Sequence, residues 1–232
     1  MSLTDDLLGR VEKIASSAWD IAPGRVVPDL RALPLANAGK SLSACILYAD
    51  LSDSTGIVQR NIPSRSAEYY KAFLHCASRL ILHNGGIIEA YDGDRVMGVF
   101  LGVGKEQNAV QTAFQLVRAM ETVVNKTFSQ YYPTSHDLLK FTVGIDTGDV
   151  VVCKAGVRGD SDLIWIGAPA NYAAKLNSFQ GLDHAYPVRI TAGVFNRLPH
   201  THLYRHDGTI AWQGAYKNIG VEHYRSAAWA EL

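Results

Sequence analysis

The sequence has no excess of charge of either sign, because 22 Lys and Arg residues balance 22 Asp and Glu residues. A chain without surplus basic residues has no compositional reason to bind nucleic acid. No apolar run approaches the roughly 18 residues of a membrane span, and the N-terminus lacks the basic start and apolar core of a signal peptide. We therefore expect a cytoplasmic protein with no nucleic-acid partner and no membrane partner.

Cysteine is also scarce. The three cysteines, Cys45, Cys76 and Cys153, are odd in number and far apart in the sequence. This pattern fits reduced thiols and argues against a disulfide framework. With 47% hydrophobic residues in 232, the chain can instead bury a large apolar core.

The N-terminal part of the chain, residues 1–41, differs from the rest. Leu7, Leu8, Val11 and Ile14 have helical spacing and predict an amphipathic helix over about residues 5–19. Prolines and glycines then predict an irregular connector up to about residue 40. The main domain is therefore predicted to cover residues 42–232.

Strands and helices alternate in the main domain. The patterns predict a strand near 43–50, a helix over 66–84, a hairpin with strands at 86–91 and 95–102, and a helix over about 105–127. Two further β-rich runs flank a predicted turn at 146–149. This order is that of an α+β, ferredoxin-like (βαββαβ) fold, with a mainly antiparallel sheet flanked by helices.

Two aspartates end neighbouring elements of this predicted sheet. Asp50 closes the first strand and Asp94 lies in the hairpin turn, so we expect their carboxylates to converge. Two carboxylates in close approach disfavour joint ionisation unless a cation lies between them, and Mg²⁺ is bound by one or two carboxylates plus substrate phosphates. The alternative for Asp94 is an ordinary turn residue, which is our interpretation of Asp53 and Asp92.

Four segments carry a family resemblance: ADLSDSTG at 49–56, the GD pair at 93–94, VGIDTGDVV at 143–151 and WIGAPANYAAKL at 165–176. In order and spacing they resemble the class III nucleotidyl cyclase catalytic domain, over about residues 42–226. The resemblance implies the fold of adenylyl and guanylyl cyclases. It also implies their reaction, a metal-assisted attack of the ribose 3′-hydroxyl on the α-phosphate.

The resemblance assigns roles to individual residues. It implies that Asp50, Asp94 and the carbonyl of Leu51 bind two Mg²⁺ or Mn²⁺ ions per active site. Asn171 would orient the ribose, and Lys175, where the family has Arg, would stabilise the reacting phosphate; their spacing puts both on one helical face. A solvated helix lysine is the alternative for Lys175.

Contacts to the phosphates are expected at three further positions. Ser54 and Thr55 follow the first metal aspartate, where small residues can turn toward phosphate oxygens. Lys217 lies within about a residue of the position where the family has a basic residue on the terminal phosphates. An ordinary surface lysine is an equal alternative for Lys217.

The predicted base pocket departs from that of purine cyclases. Ala90 and Ile164 occupy the two positions that read the purine edge, and neither side chain can form a hydrogen bond with it. Tyr48 replaces a frequent Phe on the same side of the strand as Asp50, and its hydroxyl suits a smaller pyrimidine. Arg95 is a further candidate for base contact, with a local salt bridge as its alternative; for Tyr48 the alternative is a core residue.

Taken together, the segments most resemble the pyrimidine cyclases of bacterial Pycsar anti-phage systems. This implies conversion of UTP to 3′,5′-cyclic UMP and pyrophosphate, with the product acting on a separate effector. It also implies a homodimer with two composite active sites. The alternatives are a cytidylate cyclase, an adenylyl cyclase with an atypical base pocket, and a non-catalytic nucleotide-binding module.

Overall fold

The structure, a computed structural model, describes residues 2–134, 137–178, 183–205 and 207–232. Its strands are β1 (Asp20–Pro23), β2 (Ala38–Leu51), β3 (Ile87–Asp92), β4 (Arg95–Leu101), β5 (Phe141–Val157), β6 (Asp160–Ile166), β7 (Val188–Thr191), β8 (Gln213–Tyr216) and β9 (His223–Ser226). Its α-helices are α1 (Leu3–Ser16), α2 (Ser54–Arg60), α3 (Pro63–His83), α4 (Lys105–Ala119), α5 (Lys126–Tyr131), α6 (Ala168–Ser178), α7 (Ala192–Phe195) and α8 (His200–Leu203). A 3₁₀ turn covers Leu30–Ala32, and a π-helical segment, Met120–Asn125, joins α4 to α5.

The chain divides into two compact units, of which the smaller comprises Met1–Ser43 and Asp149–Gly167. In this unit β1 runs parallel to the start of β2, from Asp20 opposite Ala38 to Pro23 opposite Ser41. The end of β5 forms an antiparallel hairpin with β6. The predicted domain boundary between residues 41 and 42 stays a prediction. The smaller unit is not a separate N-terminal segment, because it also includes Asp149–Gly167.

The larger unit comprises Ala44–Gly148 and Ala168–Leu232. The strand order of its sheet is β3-β4-β2-β5-β7-β9-β8. The β2/β4, β3/β4, β7/β9 and β8/β9 pairs are antiparallel and β5/β7 is parallel. The element order β2, α3, β3, β4, α4, β5 confirms the predicted α+β, mainly antiparallel βαββαβ fold.

One apolar core joins the helices to this sheet. Tyr69, Phe73, Ala77 and Ile81 follow one another at four-residue spacing along α3, and all four are buried. They belong to the same cluster as buried residues of β2, β4, α4 and β5. The helical period of the sequence thus places one face of α3 on the sheet.

Two local predictions are wrong. Residues 146–149 do not form a turn but lie within the continuous strand β5. Polar residues are tolerated there because the Asp146 carboxylate accepts hydrogen bonds from Thr191 and from the Thr147 amide, and Thr147 bonds to Glu106. The connector is not wholly irregular either, since it contains β1 and the 3₁₀ turn.

Helix α6 approaches β5 at a glycine. A methyl group on Gly144 would collide with the Ala173 carbonyl oxygen and come within 2.7 Å of the Asn177 amide nitrogen. Both contacts are backbone atoms, which cannot move aside without displacing the helix. A residue with no side chain is therefore required where α6 crosses the strand.

We predict that Gly144→Ala lowers the free energy of unfolding by about 2 kcal/mol, as overpacking of a tight core does. Urea unfolding followed by circular dichroism measures this. Gly9→Ala is the control, because outside its own helix backbone the added methyl contacts nothing, and it should raise stability slightly since alanine favours a helix over glycine. Equal stability of the Gly144→Ala variant and the wild type would contradict the close approach.

Candidate active site

Asp50 and Asp94 meet at the end of the sheet that contains the C-terminus of β2. Asp50 is paired with Arg95, the first residue of β4, and Asp94 directly precedes it in the turn. That turn requires Gly93, whose φ of 61° lies in the left-handed region. The β3–β4 hairpin thus places the Asp94 carboxylate beside the end of β2.

The Asp94 carboxyl is affected by its burial and by Asp50. Burial raises the pKa of Asp94, the charge of Asp50 raises it further, and a hydrogen bond from Ser54 partly offsets both effects. Among the described residues, Oδ2 of Asp94 is buried without a hydrogen-bond partner. A buried, unpartnered carboxylate oxygen beside a second carboxylate is the arrangement that a divalent cation would satisfy.

Arg95 is bound to Asp50. Its Nη2 and Nε atoms lie 2.9 and 3.1 Å from Oδ2 of Asp50. Of the two alternatives for Arg95, the structure contains the local salt bridge, and both of its bonds go to the same carboxylate oxygen.

The residues predicted to bind metal and phosphate through the end of β2 and the start of α2 lie next to one another in the chain. Leu51 is the last residue of β2 and directly follows Asp50. Its side chain is buried, and its main-chain carbonyl is the predicted metal ligand. Ser54 and Thr55 form the first turn of α2, with Ser54 half-buried and Thr55 exposed. Asp53, directly before Ser54, forms a salt bridge of 3.0 Å with Arg60.

Tyr48, Met97 and Ala90 form one row across three strands. Tyr48 of β2 is paired with Met97 of β4, and Met97 is paired with Ala90 of β3. Paired residues share a face of the sheet, so this row lies next to the row of Asp50 and Arg95. The Tyr48 hydroxyl donates to Sδ of Met97 at 3.2 Å, and burial raises the pKa of this tyrosine.

Met97 was missed by the sequence analysis. Its pairing with Ala90 could have been predicted by counting residues outward from the turn at Gly93, because a two-residue turn fixes which residues of the two strands are paired. Ile164, the other predicted base-pocket residue, is on β6 in the smaller unit, where 40% of its surface is exposed.

Asn171 and Lys175 are exposed on one face of α6. Nζ of Lys175 donates to the Ile219 carbonyl at 2.7 Å. No hydrogen bond or ion pair joins either residue to Asp50 or Asp94 within the described chain. Lys217, predicted on the terminal phosphates, is exposed and lies 3.2 Å from the Glu222 carboxylate.

The opposite face of α6 carries a residue that the sequence analysis also missed. Asn177 is buried, and its side-chain nitrogen donates to the Thr142 and Tyr48 carbonyls at 2.8 and 3.2 Å. At about 100° per residue, Asn177 is turned about 200° from Lys175 around the helix axis. Asn171 and Lys175 therefore face away from the Asp50 of their own chain.

Two sets of candidate residues result, and a single chain does not bring them together. Asp50, Asp94 and Leu51 lie with Ser54 and Arg95 at one sheet edge, whereas Asn171 and Lys175 face outward. Within the part of the chain that the structure describes, no three His, Cys, Asp or Glu side chains cluster as a metal site. A cation at the Asp50 and Asp94 pair would therefore need main-chain or substrate oxygens as well.

Sequence comparison finds close relatives along nearly the whole chain. A uridylate cyclase of Burkholderia cepacia is 39% identical over 229 residues, which cover 97% of both chains. A uridylate cyclase of Xanthomonas perforans is 38% identical over 199 residues, covering 85% of this chain and 84% of the relative. The chain belongs to the uridylate cyclase family of class III nucleotidyl cyclases. No protein-family model matches the sequence.

Structural comparison gives the same fold for this cyclase. The crystal structure of the guanylyl cyclase Cya2 superposes with a TM-score of 0.67 at 19% identity, covering 83% of this chain and 95% of that one. The protein is thus a nucleotidyl cyclase with the fold predicted from its motifs. Among the described residues, no helix of the cyclase is both long and apolar enough to cross a membrane.

The crowding of Asp50 and Asp94 predicts an effect on stability. We expect Asp94→Asn to raise the free energy of unfolding of the metal-free cyclase by about 1 kcal/mol, because it removes a buried like charge and adds a donor beside Asp50. Urea unfolding in EDTA measures this. Asp92→Asn, on the exposed end of β3, is the control. A less stable Asp94→Asn variant would contradict the crowding.

Proposed function

We propose that this cyclase converts UTP to 3′,5′-cyclic UMP and pyrophosphate, as a second-messenger synthase in bacterial anti-phage (Pycsar) defence. The observation that carries the chemistry is the convergence of Asp50 and Asp94, with Oδ2 of Asp94 buried and unpartnered among the described residues. The names of the two relatives support the substrate. The product would act on a separate cyclic-nucleotide-sensing effector.

The residues at the sheet edge fit two divalent ions, Mg²⁺ or Mn²⁺. Asp50, Asp94 and the Leu51 carbonyl would hold them. When bound, such ions supply a lowered pKa at the ribose 3′-hydroxyl and neutralise charge on the pyrophosphate leaving group. Because both Arg95 bonds go to Oδ2 of Asp50, the other oxygen of that carboxylate stays available as a ligand.

Residues of the chain itself would bind and orient the substrate. The Ser54 and Thr55 hydroxyls would donate to phosphate oxygens beside the acidic pair. Lys217 would leave its ion pair with Glu222 and bind the terminal phosphates instead. Asn171 would hold the ribose so that its 3′-oxygen is in line with the α-phosphorus. Lys175 would leave the Ile219 carbonyl to place its positive charge on the α-phosphate, as a point charge rather than the planar fork of Arg.

The active site would be assembled from two chains. Asn171 and Lys175 face away from Asp50 and Asp94 of the same chain, so a second copy would have to supply them. A two-fold homodimer does this twice, because each chain carries a full set of both groups. A monomer would contain two incomplete halves.

The row of Tyr48, Met97 and Ala90 supports a pyrimidine base. Of the three side chains in this row, only that of Tyr48 has a hydroxyl for a base edge, and its ring fills space that a smaller pyrimidine leaves. Its hydroxyl donates to the Met97 sulfur, which holds the hydroxyl in place and leaves its oxygen able to accept a hydrogen bond from the base. Arg95 could contact the base only by giving up its bonds to Asp50. Ile164 stays a predicted base contact, and the names of the relatives favour UTP over CTP.

The direct test is incubation of the pure protein with each of the four ribonucleoside triphosphates and Mg²⁺ or Mn²⁺. We expect cyclic UMP as the dominant product, identified by chromatography and mass spectrometry. Cyclic AMP as the dominant product would refute the pyrimidine assignment. No product from any triphosphate would refute the catalytic proposal and leave a nucleotide-binding module.

Complementation tests the composite site. We expect Asp50→Asn and Asn171→Ala each to lose activity by more than about 100-fold, since each removes a group that acts in both sites. Random mixing of the two variants by co-refolding should restore about a quarter of wild-type activity, because half of the dimers are then mixed and each has one intact site. Mixed dimers that form but stay inactive would contradict the shared site.

Tyr48→Phe tests the base pocket. We expect kcat/KM for UTP to fall about tenfold, the value of one hydrogen bond to the base. Met97→Leu should lower it about threefold, and by less when Tyr48 is already Phe, because the two side chains act as a unit. Met120→Leu, the same change at the other buried methionine, is the control. Equal effects of the two Met→Leu changes would contradict a role for Met97.

A further inference from the structure

Helix α1 has an apolar stripe that nothing in the described chain covers. Leu3, Leu7, Leu8, Val11 and Ile14 lie on one side of the helix and are between 46% and 74% exposed. No residue of α1 is buried. This stripe is a continuous surface on a regular element, unlike the single exposed apolar residues found on most proteins.

The helix is nevertheless a formed and anchored element. A capping box between Ser2 and Asp5 closes its N-terminus. Asn37 donates to the carbonyls of Ile14 and Ser17 at 2.7 and 2.8 Å, and Arg10 donates to the Leu35 carbonyl at 2.9 Å. These bonds attach α1 to the segment before β2 without covering the stripe. An isolated helix of this length is marginal in water, so the stripe needs a partner surface.

The charges of α1 argue against an anionic membrane as that surface. Asp5, Asp6 and Glu12 outnumber Arg10 and Lys13, and Arg10 is already engaged by the Leu35 carbonyl. Amphipathic helices that lie on anionic lipid carry clusters of basic residues on the polar side. The polar side of α1 is net acidic instead.

A second copy of the chain fits the stripe better. Leu7, Val11 and Ile14 are spaced by four and three residues, as in a seam between paired helices. Asp5 and Asp6 are in the first turn of α1 and Lys13 is in the last. Antiparallel pairing of two such helices places the acidic turn of one level with the basic turn of the other, and it also opposes their dipoles.

We infer that the α1 stripe is buried against α1 of a second copy, with the two helices antiparallel. The inference rests on the proposed function in one respect, that the composite site already requires the second copy. One helix pair covers less than the roughly 800 Å² per partner of a standard interface. The α1 pair therefore adds to the contact made around the active sites and does not replace it.

Charge placed in the stripe tests this inference. We expect Leu7→Glu/Val11→Glu to raise the dimer dissociation constant at least about tenfold, measured by sedimentation velocity over a concentration series without nucleotide. Gly9→Glu/Ser16→Glu adds the same two charges on the opposite side of α1 and should leave the constant unchanged. Equal constants for the two double variants would overturn the inference. Co-sedimentation of the wild type, but not of the stripe variant, with phosphatidylglycerol vesicles would also overturn it.

Crosslinking tests the antiparallel direction. In an antiparallel pair Leu7 of one helix lies opposite Val11 of the partner subunit, so Leu7→Cys/Val11→Cys should form a covalent dimer on mild oxidation and Leu7→Cys alone should not. Covalent dimer from the single variant would overturn the antiparallel arrangement. Cyclase assays separate the two proposals: a stripe variant that dissociates while the wild type makes no cyclic nucleotide supports the helix pair and refutes the function.

Discussion

The alignment of β2 with β4 is the constraint on which the site depends. It pairs Asp50 with Arg95 and Tyr48 with Met97, and the turn that joins β3 to β4 then places Asp94 beside Asp50. A slip of one residue would send all of these side chains to the other face of the sheet. The buried residues that alternate with them along the two strands, Ala49 and Val96 among them, hold this register.

Part of this arrangement could be predicted from the sequence because it follows from local rules. The helical period of α3, the turn chemistry at Gly93 and the order of the elements give the sheet and its antiparallel hairpin. Once that hairpin is placed next to β2, the proximity of Asp50 and Asp94 is a matter of counting residues. The family motif then identified Asn171 and Lys175 as candidates, and both lie exposed on α6 as the motif predicts.

The features that could not be predicted depend on contacts between distant parts of the chain. Asp146 and Thr147 read as a turn, but partners on β7 and α4 hold them inside a continuous strand. Asn177 looks like any polar residue near a helix end until α6 is placed across β5. Whether Arg95 contacts a base or a carboxylate likewise depends on which acceptor the pairing of β2 with β4 places beside it.

Helix α6 has a consequence for how the two sites of the proposed dimer work together. Its outward face would hold the nucleotide in one site, while Asn177 on its other face donates to the carbonyls of Tyr48 in β2 and Thr142 in β5. The close approach at Gly144 leaves little room for the helix to shift without disturbing the backbone of β5. In the proposed dimer, a movement of α6 at one site would therefore act on β2, the strand that carries Asp50 of the other site.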